Sequence, residues 1–462
     1  METKNKFYIF TISCYELLGL GLAIRLQNEG YDTTLGLIEP ELEEDTFDVK
    51  DDGYKKKMEF LEKTGTGLIK KEWAKTLIPK IYEEPKESTY IIFDLDYGYI
   101  IADAFRKSGY KVLNASKIGN KLEKDRDGTL QLLKKMGIDS PNKMKFGKGQ
   151  VDKAIEFLEE RDELYVLKSD NLDVITMVAE QSNEELIDKL MAEKKDIDKE
   201  PFLLQERVEG IEGCTETWYY DGKPMFSNMD IEVKDKYNSI SPPQCGCAYD
   251  LNFPIDLDSK VRMETNAKMD AFVKKYMGKG AVVLDLAWIY NRAEKKYWAL
   301  EVCGSRFGYN GTYCLLATVP NVGQMFMDWM DGKEIEGHFH GYGASLRIFN
   351  DGEKKDVMVN IPDEFEDNIW LWDAYKKGGK IYTSGNESVG MISCAGENPE
   401  SAFAKCTEVF EKMFMSTKFI RDDYFDIQNA ALPLARYSLL KHLKMFETYV
   451  RPEENKKGDK AS

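Results

Sequence analysis

Residues 281–304 read AVVLDLAWIY, then NRAEKK, then YWALEVCG. Two apolar runs flank a polar six-residue turn, a pattern that predicts a central antiparallel β-hairpin. Asp285 and Glu301 are equally far in sequence from Ala293, so a hairpin centred on that residue would place the two carboxylates opposite each other on one face. The segment therefore predicts a pair of acidic side chains in apolar surroundings.

Paired carboxylates of this kind predict a metal site. Two carboxylates about 5 Å apart in an apolar setting repel each other and are poorly solvated. A cation between them removes both problems. Hard oxygen ligands favour Mg²⁺, which commonly binds through one or two carboxylates together with the phosphates of a substrate. The alternative is that one carboxylate lies at a strand edge and faces solvent.

The overall charge excludes several classes of partner. The chain has 462 residues and a formal net charge of −17, a balance that repels phosphate backbones, so we expect small-molecule partners, with no nucleic-acid and no membrane binding. No segment offers the roughly 20 uninterrupted apolar residues of a transmembrane helix. Tyr15 and Glu16 interrupt the apolar N-terminal stretch, which does not have the pattern of an export signal. We therefore expect a cytoplasmic protein with its eight cysteines reduced.

The N-terminal part alternates strand and helix patterns. An apolar run at 7–12 precedes helical spacing at 15–27, and a second pair follows at 90–94 and 100–107. A strand pattern at 111–113 closes the series. Repeated strand-helix-strand units predict a small parallel α/β domain.

The rest of the chain has α+β patterns. The predicted elements are, in order, a charged amphipathic helix at 121–137, a strand at 165–168, a strand at 202–206, alternating strands after residue 338 and a helix at 399–415. The strand at 165–168 ends in Lys168. The tail from Pro452 is charged, and we expect it to fray.

The end of the hairpin carries a specific resemblance. Residues 301–308, EVCGSRFG, resemble the Glu-x-Asn…Arg-Phe-Gly-Asp-Pro-Glu signature of the glycinamide ribonucleotide synthetases, which belong to the ATP-grasp superfamily. The glutamate and the Arg-Phe-Gly are kept. Cys303 stands where that family has a metal-binding Asn, and Tyr309, Asn310 and Gly311 replace Asp-Pro-Glu. Asn310 is the candidate to replace the missing ligand.

Three further segments extend the resemblance. Residues 122–138 are similar to the family helix that carries its first ATP-contacting lysine, 165–170 to its Val-Val-Lys-Ala-Asp strand, and 203–212 to its adenine-binding hinge. The resemblance implies the following roles: ATP binding by Arg126 and Lys168; adenine binding by Gln205, Glu206, Arg207 and Val208; ribose binding by Glu212; Mg²⁺ binding by Asp285, Glu301 and Asn310; and catalysis by Arg306 and Lys168.

Residues 5–425 can be laid on the family in order, so the resemblance implies its domain organisation. The expected fold combines α/β and α+β units, as an ATP-grasp fold with a Rossmann-like (pre-ATP-grasp) N-terminal domain and a C-terminal α+β domain. The expected units are 1–118 (N-terminal domain), 119–335 (ATP-grasp domain, with a small mobile subdomain at about 125–203), 336–425 (C-terminal domain) and 426–462 (helix and charged tail).

Several loops depart from the family. Residues 171–177 replace its glycine-rich phosphate loop, and the added aspartate opposes an anion. Residues 13–16 and 96–99 replace the loops that would meet the phosphoribosyl substrate, and 243–249 correspond to the loop over its active site. We therefore do not expect phosphoribosylamine to be a substrate.

Three functions follow from these observations. The first is a divergent ATP-dependent carboxylate-amine ligase that uses ATP and Mg²⁺ on a small-molecule carboxylate and amine, through an acyl phosphate. The alternative is a catalytically degenerate ATP-grasp protein with a binding or structural role. A phosphoribosylamine-glycine ligase of purine synthesis ranks third, because of the altered loops.

Overall fold

The computed structural model describes residues 5–11, 16–38, 52–96, 98–169, 176–233, 249–386, 388–420 and 432–450. Four sequence predictions fall on segments outside these ranges: 13–15, 171–175, 243–248 and the tail from Pro452.

The N-terminal α/β pattern forms a parallel sheet. Its elements are β1 (Lys6–Thr11), α1 (Gly19–Asn28), β2 (Asp32–Leu37), α2 (Asp52–Lys63), β3 (Lys70–Trp73), α3 (Ala74–Ile81), β4 (Thr89–Phe93), α4 (Tyr99–Lys107) and β5 (Lys111–Leu113). The strand order is β5-β4-β1-β2-β3, and each neighbouring pair is parallel. Apolar side chains of β1 and β4 are fully buried, which is expected of strands covered on both faces.

Helix α1 begins later than the sequence predicts. The spacing predicts a helix from Tyr15, whereas the helix begins at Gly19. The backbone N–H of Gly19 donates to Asp94 Oδ2 over 2.9 Å, and a Cβ on Gly19 would lie 2.9 Å from Ile9 Cγ2. The close packing on β1 and the carboxylate at the end of β4 thus determine where this helix starts.

The predicted helix at 121–137 is also corrected. It is two helices, α5 (Lys117–Lys124) and α6 (Arg126–Lys135). Asp125 lies between them and its side chain accepts a hydrogen bond of 3.0 Å from Gly128 N, as a helix N-cap does. An acidic residue that reads as part of a charged helix face therefore begins a second helix.

A four-stranded sheet follows. Its elements and the helices between them are β6 (Lys143–Phe146), α7 (Val151–Glu159), β7 (Tyr165–Ser169), β8 (Met177–Val178), α8 (Glu184–Ala192), α9 (Lys194–Ile197) and β9 (Phe202–Glu206). The order β6-β9-β7-β8 is antiparallel throughout. One face packs on α7 and α8 through a small apolar core that includes Phe202 and Leu204.

The central strands contain the hairpin. The elements are β10 (Ile211–Tyr220), β11 (Lys223–Val233), β12 (Tyr249–Ile255), α10 (Lys260–Glu264), α11 (Asp270–Tyr276), β13 (Ala281–Asn291), β14 (Lys296–Gly304), α12 (Tyr309–Leu316) and α13 (Val322–Met330). Strand β13 lies between β10 and β14, both antiparallel to it. The predicted hairpin is therefore present.

The C-terminal elements extend the same sheet. They are β15 (Tyr342–Asn350), β16 (Met358–Val359), β17 (Ile369–Leu371), β18 (Ala374–Lys377), β19 (Lys380–Thr383), β20 (Ser388–Gly396), α14 (Pro399–Lys412), β21 (Lys418–Phe419) and α15 (Leu432–His442). Among the described residues the main sheet has 14 strands, in the order β17-β20-β15-β12-β11-β10-β13-β5-β4-β1-β2-β3, with β14 beside β13 and β21 beside β15. The helices of the described ranges include none with the length and apolar character needed to cross a membrane.

Candidate functional site

The hairpin register differs from the predicted one. Asn291 pairs with Lys296, and a β-bulge between Ala287 and Trp288 shifts the remaining pairs, so Asp285 lies opposite Cys303. Glu301 lies opposite Ala287, two pairs further along. Because the combined displacement from the predicted register is two residues, both carboxylates still lie on the same face, as diagonal rather than direct neighbours.

That face of the sheet carries a row of buried polar side chains. Glu216 on β10 is directly opposite Asp285, and Asn228 on β11 is directly opposite Glu216. Asn228 Nδ2 donates to Glu216 Oε2 over 2.7 Å and to Asn252 Oδ1 over 2.9 Å. Asp230 pairs with Asn252 on β12. Asp285 is only 6% exposed, and Glu216 and Asp230 are 2% exposed.

The row is strongly acidic for a buried surface. Burial raises the pKa of Glu216 to about 7; the hydrogen bond from Asn228 opposes this rise and the nearby Glu232 adds to it. Burial raises the pKa of Asp230 well above its usual range, with Asp250, Glu232 and Glu216 contributing. Asp230 Oδ1 has no hydrogen-bond partner among the described residues. The raised pKa values favour the protonated, neutral forms of Glu216 and Asp230.

Lys168 reaches the hairpin from the four-stranded sheet. Its side chain is 8% exposed, and Nζ donates to the carbonyl oxygen of Leu300 over 3.3 Å. Leu300 directly precedes Glu301, so the ammonium group lies beside the acidic end of β14. Two elements separated by more than a hundred residues in sequence thus meet at the position where the sequence predicts phosphate and metal binding.

A cavity of about 120 Å³ opens next to this contact. Its polar lining includes Glu123, Arg126, Glu301, Cys303 and Arg306. Arg126 Nη2 lies 3.8 Å from Glu301 Oε2, and Arg306 Nη2 lies 2.8 Å from Glu123 Oε1. Three residues with predicted roles, Arg126, Glu301 and Arg306, therefore face one cavity. Its volume is below the roughly 300–1,000 Å³ of a typical ligand pocket, so it accommodates only part of a nucleotide or a small acid.

Glu123 is a site residue that the sequence analysis missed. Burial raises its pKa to about 7, Arg306 opposes that rise, and Asp96 and Glu301 add to it. Its Oε2 atom is buried and has no hydrogen-bond partner among the described residues. The only signal available in the sequence was its spacing, three residues before Arg126. In the structure the two residues lie on different helices, α5 and α6.

Close backbone packing positions this part of the site. A Cβ on Gly119 of α5 would lie 1.9 Å from Ser305 Oγ and 2.5 Å from the carbonyl oxygen of Gly304. Ser116 Oγ and Ser305 Oγ are 2.9 Å apart, and Ala115 N donates to the carbonyl oxygen of Ser305 over 2.9 Å. Ser305 has a φ of 54°, which turns the chain from β14 towards Arg306. Helix α5 is thus held against the end of the hairpin with no room for a side chain at Gly119.

Cys303 takes part in the same cluster. Arg306 Nη2 lies 3.4 Å from Cys303 Sγ, in a donor-to-sulfur hydrogen bond. Burial raises the pKa of the Cys303 thiol well above its usual range, and Glu123 and Asp285 add to this. The thiol is therefore neutral at physiological pH and is a weak ligand for a hard cation such as Mg²⁺.

The predicted hinge follows β9. Gln205 is 2% exposed and pairs with Val166 of β7, which places its side chain on the same sheet face as that of Lys168. Gln205 Nε2 is buried and has no hydrogen-bond partner among the described residues. The backbone N–H groups of Glu206 and Arg207 already donate to the carbonyl oxygens of residues 142 and 164, over 2.8 and 2.7 Å. An adenine at this hinge would therefore use other backbone groups.

The last two predicted ligands lie near the polar row. Glu212 is on β10, opposite Ile289, and shares the sheet face of Glu216 and Asp285. Asn310 is in the first turn of α12, where a Cβ on Gly308 would lie 3.4 Å from Glu216 Oε1. Gly311 accepts a hydrogen bond of 3.0 Å from Asn252 Nδ2. Asn310 is thus over the polar row rather than in the cavity that contains Glu301.

The donors present suit Mg²⁺ only in part. Within the described ranges no group of three or more His, Cys, Asp or Glu side chains is arranged to hold a metal ion. Asp285 and Glu301 are oxygen donors on one face, and two carboxylates are sufficient for Mg²⁺ when substrate phosphates and water complete its octahedral shell. The residues fit a magnesium ion that arrives with a nucleotide.

The N-terminus of α1 already holds an acidic side chain. Asp94 Oδ2 accepts hydrogen bonds from Gly19 N and from Thr11 Oγ1, so a carboxylate of the protein occupies the N-terminus of α1. Helix N-termini are where phosphate groups commonly bind. Nearby, Glu16 forms an ion pair with Arg347. A phosphate ester would meet a negative charge at this position.

Three solved structures are similar to this chain in fold and distant from it in sequence. A phosphoribosylamine-glycine ligase from Thermotoga maritima is 17% identical and superposes with a TM-score of 0.64, covering 90% of this chain and 98% of that chain. The biotin carboxylase domain of a 2-oxoglutarate carboxylase from Hydrogenobacter thermophilus, solved with MgADP and bicarbonate, is 12% identical, with a TM-score of 0.60 and coverage of 97% and 100%. An L-amino acid ligase from Bacillus licheniformis is 14% identical, with a TM-score of 0.55 and coverage of 90% and 99%. Neither protein-family models nor curated protein sequences give a match.

Proposed function

We propose that this chain, which has the ATP-grasp fold, is an ATP-dependent ligase that joins a small carboxylic acid to an amine. The fold predicted from the sequence is confirmed by the similar solved structures. The division into domains, the site residues and the cytoplasmic location remain predictions. The five described free cysteines agree with a reducing compartment.

The observation that supports the proposal most directly is the contact between Lys168 and the hairpin. The ammonium group lies 3.3 Å from the carbonyl oxygen of Leu300, beside Glu301. Arg126, from a third element, lies 3.8 Å from Glu301. A nucleotide phosphate placed here would meet two cations and a carboxylate suited to magnesium, which are the parts that phosphoryl transfer requires.

The proposed reaction gives each of these residues a separate role. Lys168 and Arg126 bind the phosphates of ATP, and the hinge around Val208 binds adenine. Asp285 and Glu301 would hold Mg²⁺, which would neutralise the charge that passes between phosphate oxygens. Arg306 orients the carboxylate that attacks the γ-phosphoryl group, with ADP leaving. An amine then attacks the resulting acyl phosphate, and inorganic phosphate leaves as the amide forms.

The occupied N-terminus of α1 limits the substrates that can bind there. Asp94 Oδ2 accepts a hydrogen bond from Gly19 N at this position. A carboxylate of the protein at a helix N-terminus disfavours a phosphate ester there. A phosphoribosylamine-glycine ligase is therefore the weakest of the three candidate functions, although a structure with that activity is among the similar folds.

One observation favours the degenerate alternative. Cys303 lies directly opposite Asp285 at the position where the sequence resemblance expects a metal-binding Asn. Its thiol is neutral because burial raises its pKa. A protein that binds nucleotide without magnesium-dependent chemistry would tolerate a cysteine in place of the metal-binding asparagine.

Nucleotide-dependent stabilisation tests the proposal. ATP with Mg²⁺ should raise the melting temperature of the purified full chain, because a ligand at 100 times its dissociation constant adds about 2.7 kcal/mol to the native state. The double variant Asp285→Asn with Glu301→Gln should lose most of the magnesium-dependent part of the shift. Neutral isosteres keep the shape of the site while removing the charges that attract the cation.

A charge-matched control accompanies this experiment. Asp363→Asn with Glu366→Gln removes the same two negative charges from an exposed turn and should leave the nucleotide shift unchanged. If millimolar ATP with Mg²⁺ shifts neither the wild type nor the double variant, the ligase proposal is wrong and the degenerate alternative is favoured.

A further inference from the structure

The cavity beside β14 contains an ion pair that no predicted role explains. Glu123 Oε1 lies 2.8 Å from Arg306 Nη2, and the ligase function assigns Arg306 to the incoming carboxylate. Glu123 presents the same chemical group, a carboxylate, from within the protein. Its second oxygen, Oε2, is buried without a hydrogen-bond partner among the described residues, so this pairing only partly satisfies the carboxylate.

We propose that Glu123 occupies, on Arg306, the place that the carboxylate of the acid substrate takes in turnover, so that the substrate binds by displacing an internal carboxylate. This inference rests on the proposed ligase function. It assigns Glu123 as a positioning residue, which holds the Arg306 guanidinium in the cavity, and it also limits the acids that can enter.

The charges around the cavity show why displacement is feasible. Two arginines, Arg126 and Arg306, face the carboxylates of Glu123 and Glu301, and Asp96 adds a further negative charge near Glu123. Besides burial, Asp96 and Glu301 both raise the pKa of Glu123, as repulsion between neighbouring carboxylates does. Like charges at short range raise the free energy of the paired state, so Glu123 holds Arg306 less tightly than an isolated pair at the same distance would.

The lining of the cavity limits the chemical class of the acid. The uncharged part of its lining consists of Thr129 and Cys303 together with four apolar residues, Leu122, Leu130, Leu300 and Val302. A second anionic group on the substrate would meet Glu301 and the displaced Glu123. A volume of about 120 Å³ admits only a short chain beyond the carboxylate. The geometry therefore favours a small monocarboxylic acid with an apolar or neutral remainder.

Binding of simple acids to the full chain tests this assignment without knowledge of the natural substrate. The probes are butyrate, its neutral analogue butyramide and the dicarboxylate succinate, each titrated by calorimetry at constant pH and ionic strength. Glu123→Gln removes the competing charge and keeps the side-chain shape, so it should bind butyrate at least about tenfold more tightly than the wild type. Butyramide should show no such gain, and succinate should bind more weakly than butyrate.

Several variants separate displacement from other effects. Glu123→Gln combined with Arg306→Gln should lose the gain, because the guanidinium group is then absent. Glu29→Gln removes the carboxylate of another 2.8 Å Arg–Glu pair, with Arg25, away from the cavity, and should leave butyrate affinity unchanged. If Glu123→Gln is too unstable to assay, Glu123→Asp serves instead: its carboxylate is withdrawn from Arg306, and it should also bind butyrate more tightly than the wild type.

The outcomes distinguish this inference from the ligase function. Unchanged butyrate affinity in Glu123→Gln, an equal gain for butyramide, or a gain that persists without Arg306 would each overturn the inference. MgATP stabilisation is measured on the same samples. Tighter butyrate binding without any nucleotide shift would keep the carboxylate site and remove the ligase function, whereas a nucleotide shift with unchanged butyrate affinity would do the reverse.

Discussion

Replacing the buried Glu216 by Gln should stabilise the protein at neutral and alkaline pH. Burial raises the pKa of Glu216 from 4.5 to about 7, so ionisation in the native state works against folding. Because the folded pKa lies above the unfolded value, the stability associated with the protonated group is complete below pH 4.5 and is lost as pH rises through about 7. A rise of this size corresponds to about 3 kcal/mol, at about 1.4 kcal/mol for each tenfold change in proton affinity.

The structure indicates that glutamine fits at this position. The carbonyl oxygen of its amide can accept the 2.7 Å hydrogen bond that Asn228 Nδ2 now donates to Glu216 Oε2. The variant should therefore match the wild type near pH 4.5 and exceed it by about 3 kcal/mol near pH 8. Chemical denaturation curves followed by circular dichroism at both pH values measure the difference.

A control identifies effects of charge removal alone. Glu408 of α14 is exposed and pairs with Lys412 over 2.6 Å, so Glu408→Gln should change stability little at either pH. The reasoning is refuted if Glu216→Gln is no more stable than the wild type at pH 8 and its stability has the same pH dependence.

Three further outcomes are expected. Gly119→Ala should lower the free energy of unfolding by about 1–3 kcal/mol, because the new Cβ would lie 1.9 Å from Ser305 Oγ. A denaturant midpoint equal to that of the wild type would contradict this. Lys168→Gln should abolish the ATP-induced rise in melting temperature, whereas Lys194→Gln, at a half-exposed position on α9, should preserve it. Equal shifts in both variants would remove Lys168 from the nucleotide site. Phosphoribosylamine and glycine should give no glycinamide ribonucleotide in a purified-protein assay, because the Asp94 carboxylate lies at the N-terminus of α1 and would repel a phosphate group there. Efficient product formation would overturn that argument.

Local patterns were sufficient for several of the elements and for their order. The apolar runs around the turn at 291–296 predicted the hairpin, and the N-terminal strand-helix alternation predicted the parallel sheet. The side-chain period of a strand is two residues, so the shared face of Asp285 and Glu301 survived the shift in register. The resemblance of short motifs then indicated the ATP-grasp fold, since those motifs occur in the same order along the chain.

Tertiary structure decided the features that depend on contacts between distant elements. The bulge at Ala287, the break at Asp125 and the start of α1 at Gly19 each depend on how an element packs or is capped, which periodicity does not encode. The Glu123–Arg306 pair forms only because α5 packs against the end of β14. The sequence by itself determined which residue types lie on which face of each element; the fold decided which of those faces meet, because the free energy of packing belongs to the pair of surfaces and not to either segment alone.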